Sequence, residues 1–123
     1  MTTEEILKLS PGPEMDRLIA EKVMGWRQSN FGQNGWVAPD GGDGWADVPS
    51  YSTAIVATWD LLLHVRKWHP SRSHEFVQYL RMVTLKRIQL SGDFFRHSEI
   101  IMSVEPVDIC KAALMVCAQE DKI

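Results

Sequence analysis

The chain has 123 residues, 45% of them hydrophobic and 24% charged, with a formal net charge of −3, which fits one domain able to bury a core without disulfides or metal. No run approaches the ~20 apolar residues of a membrane span, and Glu4 and Glu5 stand where a secretory signal would carry basic residues, so a cytoplasmic protein is expected. The charge is uneven: residues 1–60 hold four Lys/Arg against nine Asp/Glu, 61–100 hold seven against three, and 101–123 hold two against four, which allows an acidic ligand on the middle segment.

In chain order, residues 1–12 read as a mobile end. Pro13, Glu14 and Asp16 then mark a helix start, with acids near the positive dipole end. Met15, Leu18, Ile19, Val23 and Trp26 recur at helical spacing, and Gly25 is a stop. Asn34-Gly35 signals a hairpin turn, predicting a pairing of residues 26–30 with 36–38. Asp40 to Asp47 is glycine-rich and reads as an exposed loop. Ser50, Ser52 and Thr53 are N-cap candidates for a second helix. Its apolar face is expected to be Ile55, Val56, Trp59, Leu62 and Leu63, and Pro70 is expected to stop it.

Residues 75–90 fit two patterns. Phe76, Leu80 and Val83 could share a helical face. The alternation Phe76/Gln78/Leu80 and Val83/Leu85, then Ile88/Leu90, reads as strand with a change of parity, and two strands or one bent strand is the favoured reading. Glu99 to Val104 reads as a further strand. Pro106 and Asp108 open a third helix, whose residues 107–118 are apolar almost all round except for Lys111, as expected for a helix buried on more than one side. Residues 119–123 read as a mobile tail. The expected fold is α+β: three helices packed with a small antiparallel sheet, an α-β-α sandwich.

Several segments resemble a known family. Residues 14–26 (EMDRLIAEKVMGW), Gly35-Trp36-Val37-Ala38-Pro39, residues 49–59 (PSYSTAIVATW) and residues 107–114 (VDICKAAL) are similar, in that order, to the phage ABA sandwich family of small phage and prophage proteins. Ala54 departs from the pattern, since relatives often carry an acid there, and the stretch 83–99 is longer than usual. The resemblance implies a sandwich of helices and a small sheet, encoded by a phage or prophage in a bacterial host. It implies no activity.

The candidate chemistry is sparse. His64, His69, His74 and His97 with Cys110 and Cys117 are the available zinc ligands. The histidine steps of five turn by about 140° on a helix, however, and no C-x-x-C pair occurs. Asp40, Asp43 and Asp47 lack the alternation and closing Glu of a calcium loop. Cys110 and Cys117 are seven apart, about 10.5 Å along a helix, too far to bridge. On an apolar helix they read as inert buried thiols. No Gly-x-Ser-x-Gly or phosphate loop occurs. Neither metal nor cofactor is expected, and the protein reads as non-enzymatic.

Arg66, Lys67, Arg72, Arg81, Lys86, Arg87 and Arg96 alternate in sequence with Trp68, Phe76, Tyr79, Phe94 and Phe95, the ingredients of single-strand nucleic-acid binding. A pI near 5.8 favours aromatics in the core and charges coating it. Trp26 and Trp59 are expected in the core. Trp45, in the glycine-rich loop, could anchor an interface. The candidate interaction surface is Trp45, Arg66, Lys67, Arg72, Lys86 and Arg87. The leading expectation is a phage or prophage accessory protein that binds another protein or itself, with no membrane partner. The alternative is a nucleic-acid-binding module using the basic segment 66–96.

Overall fold

Pro70 opens a helix. The computed structural model describes residues 2–28, 36–37, 48–90 and 103–120, and its helices are α1 (Thr3–Leu7), α2 (Pro13–Lys22), α3 (Ile55–Arg66), α4 (Pro70–Leu90) and α5 (Pro106–Glu120). The strand content described is a two-residue antiparallel ladder, β1 (Arg27–Gln28) with β2 (Trp36–Val37), pairing Arg27 with Val37 and Gln28 with Trp36. It falls where the Asn-Gly turn signal placed a hairpin, but it is too small to form a layer. Among the described residues the protein is therefore helical apart from this ladder, and the expected α-β-α sandwich with its antiparallel sheet is corrected, together with the sandwich fold that the family resemblance implied.

The correction turns on α4. From residue 76 on, the buried and half-buried residues of α4 are Phe76, Tyr79, Leu80, Met82, Val83, Thr84, Arg87 and Ile88, while Val77, Gln78, Arg81, Leu85, Lys86 and Gln89 are exposed. Steps of three and four between inward positions are those of a helix; alternation would have buried every second residue. Proline fixes φ near the helical value and lacks only an N–H that the first turn would leave unbonded anyway. Pro70 thus ends α3 and begins α4. The expected strand at 99–104 is absent at Ser103 and Val104, which form a turn and an irregular link into α5; residues 99–102 lie outside the described residues, as does the expected loop 40–47.

α5 is the axis of the fold. It packs against α1, α2, α3 and, most extensively, α4. Val107, Ile109, Cys110, Ala112, Ala113, Leu114, Met115 and Val116 are all buried, which explains why this segment is apolar all round. Each large side chain among them contributes about 1.5–3 kcal/mol on burial. Small residues at 112 and 113 allow close approach of neighbouring helices. α1 covers the start of α5 with Ile6, which is fully buried. Thr2 caps α1, its hydroxyl accepting from the Glu5 N–H at 3.2 Å.

The N-terminus of α2 is tied to the approach to α3 by a buried polar clamp. Asp16 Oδ1 accepts from the Ser52 N–H at 2.8 Å and from the Ser52 hydroxyl at 2.6 Å. The Ser52 hydroxyl oxygen in turn accepts from the Gly12 N–H at 2.9 Å. Ser52 therefore joins two segments rather than capping α3. Ala54 stands at that N-cap without a side-chain bond. Nearby Tyr51 is buried, and that burial pushes its phenol pKa up to about 12. At the end of α2, Gly25 takes φ 81°, a left-handed turn that costs glycine least, and the Trp26 N–H reaches the Ala20 carbonyl at 2.8 Å.

Candidate functional site

α3 is apolar on two opposite sides. Its buried side is Ala57, Thr58, Leu61 and Val65. At about 100° per residue, Ala57, Leu61 and Val65 lie within about 80° of each other, and Ile55, Trp59 and Leu63 form a second stripe about 160° away. That second stripe faces solvent: Ile55 is 76% exposed, Val56 78%, Trp59 61% and Leu63 40%. This reverses the expected apolar face, of which only Leu62 is even partly buried, and it places Trp59 outside the core. Thr58 takes an inward place because its hydroxyl donates inside the fold, lying 2.7 Å from the Tyr51 carbonyl and 2.9 Å from that of Ala54. A hydroxyl so satisfied is tolerated in a buried position.

The basic residues divide into two groups. Arg66 and Lys67 end α3 and are exposed. Arg72, one turn into α4, is half-buried. Its guanidinium lies 4.2 Å from the Trp68 ring centroid, within cation–π range, and its Nη2 is 3.7 Å from Cys117 Sγ. Trp68 meets His64 and Phe76 edge-on at 6.1 and 6.5 Å. These aromatics lock the α3–α4 elbow. Burial, followed by the positive charges of Lys67 and Arg72, lowers the His64 pKa against a backbone hydrogen bond with Val23 that raises it.

Lys86 and Arg87 lie about 21 Å further along α4, at 1.5 Å per residue from Arg72. Asp108 is the third residue of α5 and accepts from the Glu105 N–H at 2.9 Å, the reciprocal half of a capping box. Arg87 pairs with this buried carboxylate, its Nε 3.0 Å from Oδ1 and its Nη2 3.0 Å from Oδ2. It also donates to the Ser103 carbonyl. Its pKa is raised, chiefly by the hydrogen bond to Asp108. Arg87 thus holds the start of α5 against α4. A weaker contact at 3.6 Å reaches Glu105, which is largely exposed. Across α5, Lys111 donates to the Leu7 carbonyl at 2.8 Å, a cation at the C-terminus of α1.

Of the candidate interaction residues, then, Arg66, Lys67 and Lys86 are free of the core, Arg72 and Arg87 are built into it, and Trp45 lies outside the described residues. Cys110 is buried, which pushes its thiol up to about 12, while Cys117 is half-buried and both are unbridged. No cluster of three or more His, Cys, Asp or Glu suited to a metal occurs among the described residues. No helix among them is long and apolar enough to cross a membrane.

Comparison with family models, curated proteins and solved structures finds no match to this chain. The residues that sequence reasoning misplaced are Ile55, Val56, Trp59 and Leu63. Their apolar character was visible, but the competing inward row holds Ala57 and Thr58, which carry little hydrophobic signal.

Proposed function

We propose that the protein works without catalysis, by pairing with a second copy of itself through the outer stripe of α3. The observation that carries this reading is the exposure of Ile55, Val56, Trp59 and Leu63 along one line of a helix whose other side is already seated in the core. Four large apolar side chains aligned in this way make a patch of the roughly 300–600 Å² class that marks interaction surfaces. Twofold pairing needs only one patch, because each copy presents the same surface to the other. Doubling the patch gives about 600–1,200 Å² of buried area, the lower edge of what specific interfaces bury. The pairing is therefore weak and reversible, with Trp59 as its anchor, since tryptophan is the residue type most often carrying binding energy at such centres.

Light scattering on a size-exclusion column, run over a hundredfold range of loading concentration, tests the reading. The apparent mass is expected to rise from monomer toward dimer as concentration increases, and Val56→Glu should hold it at monomer. A wild-type protein monomeric throughout, or a V56E variant that still dimerises, overturns it.

A further inference from the structure

A second feature lies away from the outer stripe of α3. α1, α4 and α5 enclose a cleft of about 570 Å³, within the size range of small-molecule sites. Its apolar lining comes from Leu7 and Val83, and its charged lining brings Lys8 from α1, Lys86 from α4 and Lys111 from α5 to one opening. Arg87 and Asp108 also line it, but they neutralise each other. Glu4 offsets one of the three lysines, which leaves the cleft with a surplus of about two positive charges in a chain whose net charge is −3.

We propose that this cleft binds a small organic anion carrying an apolar body, its head group between Lys8, Lys86 and Lys111 and its body against Leu7 and Val83. Two aspects of the geometry argue for an anion. Lys8 at the end of α1, Lys86 on α4 and Lys111 on α5 line one cleft, so an anion seated there meets positive charge from three segments of the fold. Lys111 is half-buried and spends one N–H on the Leu7 carbonyl, while its ammonium carries three. Burial lowers the Lys111 pKa, opposed by the charge of Asp108 and, less strongly, assisted by that of Arg87. The apolar part of the lining, together with the methylene stems of the lysines, calls for more than a bare inorganic ion. The basic surplus of the middle segment noted in the sequence supplies Lys86 and Arg87, but the site needs Lys8 and Lys111, more than a hundred positions apart.

Titration of the full chain with octyl phosphate, octanoate, inorganic phosphate and octylamine, followed by amide chemical shifts, tests this. Octyl phosphate and octanoate are expected to shift Val83, Lys86 and Lys111 saturably. Inorganic phosphate should bind at least tenfold more weakly, and octylamine should leave these resonances unmoved. Lys86→Glu reverses an exposed charge and should weaken octyl phosphate at least tenfold with the fold intact. Lys111→Met should weaken it about fivefold or more, and because it also removes the bond to Leu7, K86E is the decisive variant. Saturable binding of either organic anion with loss in K86E supports the proposal, whichever head group binds tighter. Octylamine binding as well as octyl phosphate, no shift at the cleft with 1 mM octyl phosphate, or K86E binding like wild type overturns it.

Discussion

α5 and α3 are both helices rich in apolar residues, yet they stand in opposite positions. α5 is apolar on nearly all sides and is covered by four other helices. α3 is apolar on two sides, and only one is covered. The difference shows that hydrophobicity along a helix measures how much surface needs a partner, not which partner supplies it. For α5 the other described helices supply partners on all sides. For α3 the described residues supply them on one side.

The largest expected contrast sets the two helices against each other directly. Met115→Ala, at a fully buried position of α5, should lower unfolding free energy by about 2–5 kcal/mol. Trp59→Ala, on the outer stripe of α3, should change it by no more than about 0.5 kcal/mol. Urea denaturation at a protein concentration low enough to hold the monomer measures both. Equal losses would mean that Trp59 belongs to the fold.

A second contrast lies within the seam joining α4 to α5. Asp108 is 1% exposed and the Arg87 side chain 32%. Removing the arginine leaves a buried carboxylate without its cation, whereas neutralising the carboxylate leaves a cation that water can reach. Arg87→Met should therefore cost about 3 kcal/mol and Asp108→Asn about 1–2 kcal/mol. The reverse order in urea would contradict the assignment of Asp108 as the buried partner. Ser52→Ala removes two bonds of the clamp between α2 and the approach to α3, for about 1–2 kcal/mol. A double-mutant cycle with Asp16→Asn should show coupling, because the two share one network.

The smallest effect is a pH dependence. His64 has its pKa lowered in the folded state, so between that value and its ordinary 6.5 the unfolded chain binds more protons than the folded one. Stability then rises with pH through this window and falls as acid is added below about 6.5. His64→Gln should flatten this slope. A slope that persists unchanged would place its origin elsewhere.

The sequence disclosed some of this arrangement and concealed the rest for identifiable reasons. The start of α2 at Pro13 and the buried, all-round apolar α5 followed from local signals. The pairing of residues 27–28 with 36–37 falls within the expected pairing of 26–30 with 36–38. The character of residues 70–90 did not follow from local signals. Phe76, Leu80 and Val83 fit a helix and, with Gln78 and Leu85, also fit alternation, and only packing against α5 separates the two. Pro70 was legible as a boundary but not as a beginning. The orientation of α3 was concealed because Ala57 and Thr58 face the core through close fit and satisfied hydrogen bonds, which hydropathy does not register. The cleft was concealed because its lysines at 8, 86 and 111 have no spacing in common.

Sedimentation equilibrium on wild type and Trp59→Glu tests the central claim most directly, that the outer side of α3 is a surface awaiting a second copy. The account predicts a reversible monomer–dimer equilibrium for wild type and a monomer for W59E, with both variants unfolding at the same urea concentration when dilute. A wild type that remains monomeric up to several hundred micromolar, or a W59E protein that dimerises equally well, would contradict it.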